Sequence, residues 1–217
     1  MIRGKSDPGL FTDSLIKAIT EYDEETVNEI MLRASIKLGF ESTFNSVVFP
    51  FLKKVGVLWH TGSVNVGSEH FISNIFRQRL IAAIDSIAPP RPGIGKKLLL
   101  FLPENEYHEL GLLWYSYIAR SRGHSVIYLG QSTPLMAAAE VSESWKPEII
   151  VTGTLSGKPL DDPDAFVREM KLTFPETIIL LSGFLADIAE KAGLRGVYSC
   201  RSETDLRKHL GNKTSRS

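Results

Sequence analysis

Residues 97–111 read Lys97-Leu98-Leu99-Leu100-Phe101-Leu102-Pro103-Glu104-Asn105-Glu106-Tyr107-His108-Glu109-Leu110-Gly111. An apolar run this short, closed by a proline, has the length and composition of a strand buried on both faces. A polar loop follows, and then a helical pattern from about Glu109 to Arg122. The same punctuation recurs downstream. Apolar runs from Ser125 to Leu129, Ile149 to Thr152, Ile178 to Leu181 and, more weakly, Gly196 to Ser199 read as strands. Between and after them, helices are expected over about Pro134 to Trp145, Pro163 to Phe174, Leu185 to Ala192 and Glu203 to Leu210. Strands alternating with helices predict a five-stranded parallel α/β sheet of Rossmann-like or flavodoxin-like type.

Upstream the grammar is helical throughout. Leu15, Ile16 and Ile19, then Val27, Ile30, Met31 and Ile36, recur at the spacing of amphipathic helices. Asp23 or Glu24 starts the second helix and Gly39 ends it. A third helix from near Ser42 carries Val47, Val48, Phe51, Leu52, Val55 and Leu58, with a local kink expected at Pro50. After His60-Thr61-Gly62-Ser63 a fourth runs from about Val66 to Ile87. Short connections between four such helices predict an antiparallel bundle over residues 10–88. The Pro- and Gly-rich segment 89–96 breaks every periodicity and reads as a linker, followed by the α/β domain at 97–217. The lead-in from Met1 to Gly9 reads as flexible.

Charged side chains balance at 25 basic and 25 acidic, which gives no bulk signature for nucleic acid or an anionic membrane. No apolar run approaches the roughly 20 residues that span a bilayer. Cys200 is the only cysteine, which removes intrachain disulfides and thiolate-rich metal sites and fits a cytoplasmic location. It reads as an inert buried thiol. Trp114 and Trp145 read as packing residues, and His124 and His209 as solvent-facing residues at element ends.

In an open parallel sheet, ligands bind beyond the carboxyl ends of the strands. The loop after the first strand holds Glu106-x-His108-x-x-Gly111, the third strand is followed by Gly153-Thr154-Leu155-Ser156-Gly157, and the fourth by Ser182-Gly183-Phe184. Neither a GxGxxG after the first strand nor a GxxxxGK[ST] is present, so the usual phosphate cradles are missing. Glu106 two residues before His108 is suited to hold one ring nitrogen and leave the other for a metal. Gly111 leaves room for a bulky planar ligand near the backbone. By spacing alone, a loop histidine beside a glutamate is more often a solvated pair. In the helical half, Trp59-His60 and, after nine intervening residues from Trp59, Glu69-His70 form a second constellation.

These two motifs together, in this order, resemble the cobalamin-binding module of the CarH and LitR light-responsive regulators of the MerR family. The resemblance covers about Leu10 to Leu210. It implies that His108 is the lower axial ligand of cobalt and Glu106 its acidic partner, with glutamate where methyltransferases and mutases usually carry aspartate. The displaced nucleotide tail would run beside the sheet, past a Ser-x-Leu segment and a Gly-Gly pair. Here those read Gly153-Thr154-Leu155 and Ser182-Gly183. Both depart from the pattern, which leaves Thr152, Thr154 and Ser156 as candidates for the missing serine hydroxyl.

The resemblance further implies a helical cap in which Trp59 packs on the upper axial group and Glu69 and His70 surround the 5′-deoxyadenosyl moiety. His60 would take the upper cobalt site after photolysis. The implied cofactor is adenosylcobalamin, and the implied readout is a dark homo-oligomer, a tetramer, that dissociates in light. Only about ten residues precede the first helix, fewer than the roughly 70 of a helix-turn-helix head. The expectation is therefore a sensory fragment or stand-alone sensor that meets DNA only through a head outside this chain, with no catalysis of its own. A corrinoid methyl-carrier protein shares the His108 motif but leaves Trp59, His60 and Glu69 unexplained. A regulator that keeps the fold without cobalamin is the third reading.

Overall fold

A computed structural model describes residues 8–60, 62–90 and 93–211. The chain divides into two units, residues 1–79 and 80–217, with the division falling inside helix α5.

The first unit is helical. α1 (Pro8–Thr20) starts earlier than the sequence implies: Pro8 and Gly9 belong to it, because a proline in the first turn loses no hydrogen bond. Residues 1–7 of the expected lead-in lie outside the described residues. α2 (Glu24–Leu38) begins at Asp23, whose side chain accepts from the Thr26 N–H, and ends at Gly39, where φ is +82°. The third expected helix is a continuous rod of three pieces, α3 (Phe40–Thr43), a π-helical turn (Phe44–Val48) and α4 (Phe49–His60). The wide turn answers Pro50: the Phe49 N–H reaches back to the Phe44 carbonyl, five residues away, directly before the proline that cannot donate. α5 (Val66–Asp85) completes the set. Phe44, Phe51, Val55, Ile72 and Phe76 are fully buried, and edge-on ring contacts link Phe76 to Phe44 and Phe51. Burial of each such side chain contributes about 1.5–3 kcal/mol.

The second unit is a parallel sheet of β1 (Lys97–Phe101), β2 (Ser125–Gly130), β3 (Ile149–Thr154), β4 (Ile178–Gly183) and β5 (Val197–Ser199) in the order β2-β1-β3-β4-β5. That order places the topological switch between β1 and β3, where two successive connections leave in opposite directions. Helices α7 (Leu135–Trp145), α8 (Pro163–Thr173) and α9 (Leu185–Ala192) pack against Leu99, Phe101, Ile150, Ile179 and Leu181. α6 (Leu110–Arg120) packs on β1 and β2, and α10 (Glu203–Leu210) packs against α6. The doubly wound sheet matches the expected fold class.

Two details differ from the sequence reading. β3 and β4 run two residues further than expected, so Gly153, Thr154, Ser182 and Gly183 are paired strand residues, Gly153 with Ser182 and Thr154 with Gly183. Their carbonyls and amides continue the ladder where a loop was expected. His124 is buried, not solvent-facing: its Nδ1 accepts from the Lys96 N–H at 2.9 Å. The positive charges of Lys96 and Arg122 add to burial in lowering its pKa, against a smaller opposing effect of Glu148. Cys200 is buried, as expected, and burial pushes its thiol up to about 11. No helix among the described residues is long and apolar enough to cross a membrane.

Candidate functional site

The loop after β1 is pinned from the side of β2. The Leu102 N–H donates to Gly130, Thr133 to the Leu102 carbonyl, and Ser132 to the Glu106 carbonyl. Asn105 adopts φ +65°, a left-handed turn that asparagine tolerates, and its N–H donates to the Ser132 hydroxyl. These bonds drive the Glu106 side chain inward until only 1% of the residue is exposed.

A buried carboxylate needs compensation. Oε1 of Glu106 accepts from the His108 N–H at 2.9 Å and meets His108 Nδ1 at 2.6 Å, while Oε2 accepts from the Leu155 N–H at 2.7 Å. Burial works against ionisation, but hydrogen bonds from the His108 ring, its backbone and Leu155, together with the imidazole charge, outweigh it and hold the carboxyl below its ordinary value. The ionised carboxylate keeps the ring proton on Nδ1, so the lone pair of a neutral His108 is on Nε2. The imidazole itself is 64% exposed. The same carboxylate thus orients the histidine and ties its loop to the end of β3.

The surroundings suit a broad, largely apolar ligand. Tyr107, Leu155 and Phe184, which flank the ends of β1, β3 and β4, are exposed aromatics and aliphatics. At Gly111, in the first turn of α6, a Cβ would meet nothing within 4 Å. Among the described residues no group of three or more His, Cys, Asp or Glu side chains converges as a metal cage. A lone, oriented imidazole is instead the donor set for a metal that brings its other ligands in a macrocycle. The residues present therefore fit a corrin: His108 would hold its metal, and Glu106 would orient His108. Sequence reasoning missed two supports. Glu109 is buried and accepts from the Tyr128 hydroxyl at 2.6 Å, and Gln131 donates to the Tyr107 carbonyl. Only the charged residue next to a predicted helix start hinted at the first.

In the helical unit, Trp59 lies in the last turn of α4 and is 47% exposed. Glu69 lies in the first turn of α5, and its Oε2 meets His70 Nδ1 at 2.7 Å. The short turn between α4 and α5 returns the chain on itself, with the Gly62 N–H donating to the Trp59 carbonyl, so these residues share one end of the unit. Asn65 anchors the start of α5 by accepting from the Ser68 N–H. The side chain of His60 lies outside the described residues.

Residues 12–83, nearly the whole helical unit, match the family model described as a B12 binding domain. Over 180 residues the chain is 26% identical to the HTH-type transcriptional repressor CarH of Myxococcus xanthus, covering 83% of this chain and 59% of the repressor. The chain carries a CarH-like cobalamin-binding module. A second relative of that module, the HTH-type transcriptional repressor CarA of the same organism, is 27% identical over 126 residues, covering 58% of this chain and 41% of that protein. The chain thus spans about half the length of the repressors it matches. The fold of the CarH-like module is shared with the monomethylamine corrinoid protein of Methanosarcina barkeri, at a TM-score of 0.73 and 11% identity over 93% of this chain and 97% of that one.

Proposed function

We propose that the chain is the light-sensing part of a transcriptional regulator and that its cofactor is adenosylcobalamin. The observation that carries the reading is the His108 imidazole, exposed on one side and fixed on the other by a buried, ionised Glu106. His108 is assigned to cobalt, with Gly111, Gly153, Leu155, Ser182 and Gly183 beside the nucleotide tail. Trp59, Glu69 and His70 are assigned to the adenosyl group, and His60 to the upper face once that group has left. When bound, adenosylcobalamin supplies a light-labile cobalt–carbon bond.

The residues' part is to make two states differ in free energy. A ligand shifts an equilibrium only by its differential affinity, and Trp59, Glu69 and His70 would interact with the adenosyl group in the dark state alone. Glu106 raises the basicity of Nε2 and keeps His108 in place through the change. In this reading the chain turns over no substrate, works in the cytoplasm as a homo-oligomer and reaches DNA only through a separate head. The similarity to two HTH-type repressors supports a regulatory role.

The test is an absorption spectrum and size-exclusion profile of the chain loaded with adenosylcobalamin in the dark, repeated after green light. Coupled changes in spectrum and assembly are expected. A light-insensitive chain that binds methylcobalamin without preferring the adenosyl form would overturn the sensor and favour a methyl carrier, which uses His108 and leaves Trp59 and the Glu69–His70 pair idle. Absence of corrinoid binding would refute both.

A further inference from the structure

The ends of β3 and β4 carry three hydroxyls, and the sheet sorts them onto opposite faces. Side chains alternate along a strand, so Thr152 and Thr154 share the face of Ile150, the one packed against α7, α8 and α9. Both hydroxyls are buried and have no hydrogen-bond partner among the described residues. They are sealed into the helix-covered side. Gly153 and Ser182, an in-register pair, lie on the other face.

At Gly153 an added Cβ would stand 2.2 Å from Ser182 Oγ, 2.6 Å from the Ser182 carbonyl oxygen and 2.9 Å from its carbon. The β4 backbone therefore excludes a side chain at 153, and the serine side chain of the neighbouring strand occupies the space that one would take. Ser182 is half-buried, and its hydroxyl donates to the Thr152 carbonyl at 3.2 Å, a long bond that leaves both oxygen lone pairs to accept. Three residues after His108, at the start of α6, Gly111 presents no side chain, and a Cβ there would meet nothing within 4 Å.

We infer that Ser182 is the hydroxyl that recognises the heterocyclic base of the cofactor's nucleotide tail, in place of a side chain at 153 and in preference to Thr152 or Thr154. The inference rests on the cobalamin reading above and adds a specificity-determining residue to it. The hydroxyl would exchange its long bond to Thr152 for one to a base nitrogen, an adjustment of one rotor with no change in the backbone.

The test compares cobalamin with cobinamide, which has the corrin but lacks the nucleotide base, by absorbance titration of the full chain. Ser182→Ala keeps the Cβ and should lose about 3- to 10-fold in affinity for cobalamin, the worth of one neutral hydrogen bond, while leaving cobinamide binding unchanged. Ser182→Cys, of similar size but a weak donor, should show the same selective loss. Thr152→Val and Thr154→Val should leave the cobalamin-to-cobinamide ratio intact. Equal binding of the two corrinoids by the wild type, an unchanged ratio in both Ser182 variants, or a selective loss in a threonine variant would overturn the inference and leave the cobalamin reading standing. If the wild type binds neither corrinoid, the cobalamin reading itself fails.

Discussion

Replacing Glu106 by glutamine preserves shape and removes a charge at a site where both carboxylate oxygens accept hydrogen bonds. Oε1 faces two donors on His108, at 2.9 and 2.6 Å, and Oε2 faces the Leu155 N–H at 2.7 Å. If the amide oxygen stays toward His108, the new NH2 group opposes the Leu155 N–H. If the amide flips, NH2 opposes the His108 backbone N–H, and the imidazole must move its proton to Nε2 to accept at Nδ1, which blocks the nitrogen assigned to cobalt. Either arrangement loses one charge-assisted hydrogen bond and buries an unmatched donor, about 2–3 kcal/mol, or roughly 30- to 150-fold in an equilibrium constant. Solvent does not screen the loss, since the residue is 1% exposed. Urea unfolding at pH 7 should show a stability decrease of that size in the sheet unit, and spectral titration should show cobalamin affinity falling by about 10- to 100-fold. Unchanged stability together with an unchanged spectrum of the bound corrinoid would refute the claim that Glu106 orients His108.

Trp59→Ala removes an exposed ring and should shift the thermal midpoint of the helical unit little, while lowering the preference for adenosyl- over methylcobalamin in competition titrations. Gly183→Ala should destabilise the sheet unit by about 2 kcal/mol or more in urea, because φ is +60° and a Cβ would stand 2.1 Å from the Thr154 carbonyl oxygen. His124 has a pKa lowered by burial first and by Lys96 and Arg122 next, so the unfolded chain takes up its proton before the native one. Its contribution is intact above about pH 6.5 and is lost as pH falls from there toward the lower native value. The His124→Asn variant should therefore show a shallower decline in thermal midpoint between pH 7.5 and 5, and His209, lowered by burial in the same direction, should account for part of what remains.

Strand and helix order were legible from residues 97–210 because apolar runs and helical periodicities are local signals, and they predicted the five-stranded parallel sheet directly. The Asp23 and Gly39 boundaries were legible for the same reason: capping is settled within four residues. Pro50 announced a disturbance, but whether it would bend the helix or widen a turn depends on how the rod packs around Phe44 and Phe51, and only the fold decided for the π-helical turn.

At the site, the sequence determined which residues carry chemistry: a histidine two positions after a glutamate in the loop that follows the first strand. It did not determine that Glu106 would be buried, since burial comes from Ser132 and Leu155, 26 and 49 residues further along the chain. Nor did it determine which hydroxyl faces which side of the sheet. A side chain's face follows from strand register and alternation, so Thr154 could be placed only once β3 was seen to run on to it beside β4. Residue type and local spacing are properties of the chain, whereas burial, register and the direction of a hydroxyl are properties of neighbours that only the tertiary structure brings together.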